Sequence, residues 1–439
     1  MTNKKLNWLC YKCIGDSEIK KRIQEQGKEK KCFYCGELRI SIEIRKLATW
    51  IDKVYRKYYS SAPYYFVSVC QPAQVEGKNP EEIIAEMVEA DKEIANLIVD
   101  YLSKEEERRV IKKGESPLYN SSNKYKRIDK SPDELHDMWK LFKKRIQYQR
   151  RFFANEAEKL LESILKGIEK FAEKDSLSPV RWLEPNDSKH IYRARIANTP
   201  KEVKKIIENT PKSLAPPPPE KNRGGRMNPS GISVFYGSFN EETCIAEVRP
   251  IVGGLVVVGK FEVIKPLKLL DLTNFNKPLP DVSMFRNNYD QIVFQWQFLY
   301  DFHRLISKPV QPHEESIKYI PTQVVAEYIA NELKYDGVIY SSAQLISDEF
   351  NNLEGLENIV LFDAQKIIKD VYYNELKFYS KINKKFLEKY IDIDEEQINN
   401  DFSLKFISES EKIYEISSVN YTHNNRNLNE FDKQTGAFV

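Results

Sequence analysis

The segment Val234-Phe235-Tyr236-Gly237-Ser238-Phe239-Asn240-Glu241-Glu242-Thr243-Cys244-Ile245-Ala246-Glu247-Val248 decides how this chain reads. Val234 to Gly237 has the β-branched and aromatic make-up of a strand end. Ser238 to Glu241 fits the capping-box pattern that opens a helix. Arg249 and Pro250 close that helix, because proline cannot continue it. A strand end carrying Tyr236 and a helix carrying Glu247 can meet in one cleft. Taken singly, each residue has a plainer use. A helical glutamate is usually solvated, and a tyrosine at a strand end is usually core.

Strand-like runs continue on both sides: Ile191 to Arg195, Ile232 to Tyr236, Leu255 to Val263, Leu267 to Leu272, Gly337 to Tyr340 and Ile359 to Phe362. Short helices over Lys201 to Asn209, Glu241 to Val248 and Thr322 to Leu333 separate them. Pro216 to Pro219 is a stiff connector with no N–H groups to give a sheet. Before residue 180 the texture is helical. Ile83, Ile84, Met87, Ala90, Ile94, Leu97 and Ile98 keep helical spacing behind Asn79-Pro80 and the acidic pair Glu81-Glu82. Trp139, Phe142, Ile146 and Phe153 form one face of a second helix started by Ser131-Pro132-Asp133-Glu134. Its other face carries Lys140, Lys143, Lys144, Arg145, Arg150 and Arg151, which suits solvent or an acidic partner such as nucleic acid. Lys112 to Lys130 reads as a loop, and Asn420 to Asn429 as a loose end or edge strands.

The 439 residues are 41% hydrophobic and 30% charged, enough for real cores. With 68 basic and 65 acidic residues the net charge is +3, so whole-chain charge argues neither for nucleic acid nor for a membrane. No apolar run is long enough to span a bilayer and no secretory h-region opens the chain, so a soluble cytoplasmic protein is expected.

Cys10-x2-Cys13 and Cys32-x2-Cys35 are two knuckles that suit one tetrahedral zinc. Gly36 stands where the second knuckle must turn. Reduced thiols in a helical hairpin, or disulfides, are the bland alternatives, and a reducing cytosol argues against disulfides. Four thiolates close the coordination sphere, so this metal is expected to be structural. Cys70 and Cys244 read as buried free thiols. Five histidines leave little room for a multi-histidine metal centre.

Arg223-Gly224-Gly225-Arg226-Met227-Asn228-Pro229 pairs close-approach glycines with forked donors for phosphate, although Gly-Gly beside Arg is also an ordinary hairpin turn. Asp336-Gly337 turns into a strand that ends at Ser341-Ser342. Serine there is commonly a turn former, and no histidine lies close in sequence to activate it.

Read in order, Tyr192-Arg193, Gly225 to Pro229, Val234 to Tyr236, Ala246-Glu247-Val248 and Asp336-Gly337 through Ser342 resemble the RES domain, over residues 180–365. Cys10-x2-Cys13-Ile14-Gly15-Asp16 and Cys32-x2-Cys35-Gly36 resemble the front segment of HEPN/RES proteins. The chain then divides into a zinc knuckle (1–40), a helical HEPN/RES-type domain (41–175), a RES catalytic domain (176–370) and a C-terminal extension (371–439). The fold class expected is multidomain α+β, the RES domain resembling the ADP-ribosyltransferase fold. The resemblance implies a bacterial toxin or defence effector that cleaves the nicotinamide–ribose bond of NAD+, by phosphorolysis or hydrolysis, with NAD+ and inorganic phosphate as its small-molecule partners. It places the family's residues on Arg193, Arg226, Tyr236 and Glu247. Its serine falls on Ser342, with Ser341 as second choice. Among the residues that would bind NAD+, Arg193 and Arg226 would hold the pyrophosphate, Tyr236 would stack on the nicotinamide or fix the ribose, and Ser342, or Ser341 in its place, would bond the ribose or the attacking phosphate, while Glu247 would stabilise the electron-poor ribose. His136 lacks the arginine that HEPN ribonucleases place before it, so the helical domain reads as inactive. That domain would sense, restrain or oligomerise the RES domain. A separate antitoxin or regulatory protein is the family's usual partner. Two alternatives stand beside this reading. One is a protein ADP-ribosyltransferase. The other is a non-enzymatic binder of nucleic acid or protein that uses the knuckle and the basic helix face.

Overall fold

The computed structural model describes residues 7–62, 66–68, 71–72, 77–113, 118–128, 133–149, 155–169, 178–185, 187–276, 279, 282–308, 310–342, 344, 356–363, 368, 402–419, 431–432 and 437–438. Cys70, Ser131-Pro132, Arg150, Arg151, Phe153 and Asn420 to Asn429 lie outside them. The chain forms two compact units, residues 1–142 with 277–298, and residues 143–276 with 299–439. Both mix helix and strand. Among the described residues no helix is long and apolar enough to cross a membrane.

The first unit opens with β1 (Trp8–Cys10), α1 (Ser17–Gln26), β2 (Lys28–Lys31) and β3 (Leu38–Glu43), the strands pairing in the order β1-β3-β2. This small sheet was not expected from the sequence. Lys28-Glu29-Lys30-Lys31 is exposed throughout and carries no alternation to read. Next come α2 (Ile44–Tyr58), β4 (Tyr59–Ser61), β5 (Phe66–Ser68), β6 (Gln71–Pro72), α3 (Pro80–Val88), α4 (Lys92–Lys113), β7 (Tyr125–Arg127) and the start of α5 (Asp133–Tyr148). β4 pairs with β7, and β5 with β6.

The single helix expected around Ile83 to Ile98 is two. Asn79 and Glu82 do form a capping box, but Glu89 turns left-handed with φ 48° and ends α3. The break has a use. Val88 O accepts the N–H groups of Gly15 and Asp16 at 3.0 and 3.1 Å, and a Cβ on Gly15 would lie 2.3 Å from Glu89 Cβ. Asp16 in turn caps α1 through Ile19 N at 2.8 Å. Fully buried Leu9, Ile19, Leu47, Ile51, Ile84 and Ile98 share one core. On α5, Trp139 and Phe142 are buried and stacked, as their spacing implied.

The second unit contains α6 (Asn155–Leu165), β8 (Val180–Leu183), β9 (Ile191–Ala197), α7 (Pro200–Ile207), α8 (Thr210–Leu214), β10 (Phe235–Ser238) and α9 (Glu241–Glu247). Then follow β11 (Leu255–Val263), β12 (Leu267–Asp271), the end of α10 (Tyr289–Ser307), α11 (Glu315–Lys318), α12 (Ile320–Asn331), β13 (Gly337–Ser341) and β14 (Glu357–Leu361). The last strands are β15 (Leu404–Phe406), β16 (Lys412–Glu415), β17 (Phe431–Asp432) and β18 (Ala437–Phe438). Eight strands pair in the order β15-β11-β9-β10-β14-β13-β12-β8, and β16 adds to β11. β12 and β13 run parallel, whereas the other ladders of this sheet are antiparallel.

One core gathers Phe235, Phe261, Leu269, Ile339, Leu361 and Phe406, with edge-to-face rings at 5.3 Å (Phe235–Phe261) and 5.4 Å (Phe261–Phe406). A second, smaller core packs Cys244 of α9 on Ala194, Val256 and Val258. The strand expected from Ile232 begins only at Phe235, since residues 229–232 are turn. The expected cap of α9 is also corrected. Asn240, not Ser238, takes the N–H groups of Glu242 and Thr243, because Ser238 is still in the strand and gives its hydroxyl to Asn358 at 2.6 Å.

Gly337 begins β13 where a Cβ would sit 2.2 Å from Val360 O. Gly337→Ala is expected to cost about 1–3 kcal/mol through overpacking. Urea unfolding of the two proteins checks this, and an unchanged midpoint would contradict it.

Candidate active site

A cavity of about 200 Å³ is lined by Arg193, Tyr236, Ser238, Glu247, Tyr340 and Asn358, together with Ala194, Gly237, Cys244 and Val248. Strand register explains the gathering. Ser238 pairs with Asn358 across β10 and β14, and Asn358 pairs with Tyr340 across β14 and β13. Cross-strand partners share a face, so three adjacent strands present a row of polar side chains. Helix α9 lies on the neighbouring strands and brings Glu247 to the end of that row.

Glu247 sits in the last turn of α9, where the helix dipole disfavours an anion. Two donors offset this. Ser342 Oγ donates to its Oε1 at 2.5 Å, and Asn358 Nδ2 donates to the same oxygen at 2.8 Å. Asn358 is aimed by Ser238, whose hydroxyl bonds Oδ1 and leaves Nδ2 facing the carboxylate. Asn358 is 2% exposed and its bond to Ser238 is buried, while the two bonds to Glu247 are part-buried.

Arg193 is the other charge. Its Nη1 is sealed from solvent and has no hydrogen-bond partner among the described residues. The guanidinium lies 4.7 Å over the Phe235 ring. Burial, and then the neighbouring Arg195, push its pKa down to about 9. A buried cation of this kind is a site that an anion would relieve.

Tyr236 reaches the glycine-rich loop. Its hydroxyl donates to Asn228 Oδ1 at 2.7 Å and accepts from Met227 N at 3.1 Å. Burial keeps it a neutral phenol. Gly225 leaves room for it, since a Cβ there would meet Tyr236 Oη at 2.7 Å. Arg226 does not line the cavity. Its Nη1 donates to Ile306 O at 2.8 Å and to Lys308 O, and it lies over the Tyr319 ring. Ser342 and Ser341 separate clearly. The Ser342 hydroxyl is on Glu247, whereas Ser341 is held through its backbone, its N–H given to His303 Nε2 at 3.1 Å. Cys244 is a buried free thiol in the cavity wall, pushed up to about 12 by burial.

Sequence reasoning missed Asn358 and His303. Asn358 lies one residue before the strand-like run at Ile359, and His303 lies on α10, which shows no clean helical period. The basic face of α5 is partly engaged, with Arg145 paired to Glu156 and Lys140 to Asp137.

In the first unit, Cys10, Cys13, Cys32 and Cys35 bring all four sulfurs within 4.8 Å of one another. Sγ separations are 3.4 Å for Cys10–Cys13, 3.7 Å for Cys10–Cys35 and 3.8 Å for Cys13–Cys32. Gly36 makes the expected turn with φ 75°. Burial raises the Cys32 thiol, but backbone N–H groups of Cys35, Cys10 and Tyr34 outweigh it and bring it down to about 7.

Residues 191–378 match the family model of the RES domain. The RES resemblance read from the motifs is therefore found in this part of the chain. No curated protein matches the chain. Among solved structures, the crystal structure of the M. tuberculosis MbcT-MbcA toxin-antitoxin complex aligns at 15% identity over 41% of this chain and 77% of that chain, with a TM-score of 0.23.

His303 gives the site a pH signature. Burial holds its pKa down to about 4 from 6.5, against the pull of Asp271. As pH falls from 6.5 to 4, the unfolded chain binds a proton that the folded chain refuses. Stability from this group is complete above the unfolded pKa and falls by up to about 1.4 kcal/mol per pH unit across that window. Urea midpoints across this range should fall less steeply in His303→Leu than in the wild type. Parallel slopes would show that His303 does not titrate this way.

Proposed function

We propose that the cavity binds NAD+ and that the chain cleaves its nicotinamide–ribose bond. The supporting observation is the pairing, in one small cavity, of a guanidinium whose sealed Nη1 lacks a hydrogen-bond partner with an oriented carboxylate. On this reading Arg193 binds the pyrophosphate with charge-assisted hydrogen bonds. Arg226, whose Nη1 is spent on the end of α10, contributes charge and holds the loop that receives Tyr236. The bond between the anomeric carbon and the nicotinamide nitrogen breaks, and its electron pair leaves with nicotinamide. The ring is cationic before and neutral after, so no acid is needed. The ribose passes through an oxocarbenium-like state. Glu247 stabilises that charge, and its two donors fix where the carboxylate points. A water oxygen then bonds the carbon and releases its proton to solvent, or an ionised phosphate oxygen bonds it with no proton to lose. Tyr236 and Ser342 contact the nicotinamide riboside portion. The domain is read as ADP-ribosyltransferase-like, and the chain as a cytoplasmic toxin or defence effector restrained by an antitoxin or regulatory protein. Those last roles rest on the RES resemblance.

Nicotinamide release from NAD+, with and without phosphate, tests the reading. Glu247→Gln is expected to lower kcat by about 10²–10³-fold, the loss typical of one preorganised electrostatic group. Arg193→Ala is expected to cost about 1.5–3 kcal/mol in kcat/KM, the worth of a hydrogen bond to a charged group. Wild-type activity surviving in both variants would refute the reading. Label from NAD+ appearing on protein would replace it with transfer.

We also propose that the four thiols hold a structural zinc. A Zn–S bond of about 2.3 Å in a tetrahedron sets sulfurs about 3.8 Å apart, close to the spacings here. The purified chain is expected to carry one zinc, and Cys32→Ser to lose it together with thermal stability. Metal analysis decides this, and a metal-free, equally stable chain would exclude it.

A further inference from the structure

β13 loses its neighbour before it ends. The parallel ladder with β12 stops at Asp271 and Ile339, with Leu272 N still bonding Ile339 O at 2.9 Å. Beyond that point the free edge of β13 exposes the N–H and C=O of Ser341. The last turn of α10 takes over. His303 Nε2 accepts Ser341 N at 3.1 Å, and Ser307 Oγ donates to Ser341 O at 3.0 Å. His303 and Ser307 are four residues apart, so they share a helix face. One acceptor and one donor thus replace what a further strand residue would supply. On its other edge the chain stays in the sheet, with Ser341 in register with Glu357 and Ser342 N donating to Leu356 O at 2.8 Å. Ser342, held from both sides, delivers its hydroxyl to Glu247. His303 is 4% exposed, and its accepting Nε2 requires the neutral ring with its proton on Nδ1.

We infer that His303 and Ser307 are positioning residues that clamp the Ser341 backbone and so set the Ser342–Glu247 hydrogen bond. The catalytic consequence rests on the proposed role of Glu247, whereas the clamp itself does not. The full-length chain is compared with His303→Leu, His303→Gln and Ser307→Ala, each first checked for folding by circular dichroism. Amide exchange of the peptide spanning Ser341 is followed by mass spectrometry, and nicotinamide release gives kcat and KM. In His303→Leu the Ser341 amide should exchange faster, and kcat should fall about 10- to 100-fold, the range expected of a slightly misplaced group. KM should change little, as for an interaction felt mainly in the transition state. His303→Gln keeps an acceptor and should restore most of both. Ser307→Ala should show a smaller change in the same direction and serves if His303→Leu does not fold. Unchanged exchange in Leu and Ala variants, or equal losses in Gln and Leu variants, would overturn the clamp. If the wild type releases no nicotinamide, the functional reading fails, and exchange alone decides the clamp.

Discussion

The carboxylate of Glu247 takes hydrogen bonds from Ser342 and Asn358, and this junction ties a helix end to two strands. An anion in the final turn of a helix, half-buried, is unfavourable by itself. Its donors must therefore be fixed before it can be tolerated. Asn358 is fixed by Ser238 on the adjacent strand, and Ser342 by the path of the chain leaving β13. The sheet order β10-β14-β13 is what makes these three residues neighbours although they lie far apart in sequence.

Arg193 makes the opposite kind of demand. It brings a cation into the same cavity without giving Nη1 a partner. Glu247 is already committed to neutral donors, so the two charges are not consumed by each other. A cation with an unpaired Nη1 beside a carboxylate held by neutral donors marks the cavity as a candidate functional site.

How much of this was legible follows from where the signals lie. Strands such as Leu255 to Val263 announce themselves by composition, and Tyr236 and Glu247 stand on a strand–helix unit that local rules recognise. Asn358 and His303 could not be found that way. The polar row exists only through strand register, and the clamp only through the packing of α10, whose run Tyr289 to Ser307 is rich in aromatics on several sides and offers no clean amphipathic period. The cap of α9 shows a narrower limit. Ser238 and Asn240 are both competent caps, and a hydrogen bond to a residue 120 positions away decided between them. At Glu89 the apolar spacing continues straight through a break that local end bonds of α3 and the contact with Gly15 fix.

The parallel pairing of β12 with β13 requires the chain to cross over between them. Part of that crossover, residues 277–298, belongs to the first unit. Phe285 is buried in that unit's core, its carbonyl accepts from Arg22, and Asp290 receives the Tyr58 hydroxyl at 2.6 Å. The first unit is therefore stitched from two separate stretches of the polypeptide. A fragment starting after residue 142 would keep every strand of the large sheet and yet carry an insert stripped of its partners. A single cut after residue 142 would therefore part the front unit from residues 277–298, which belong to it.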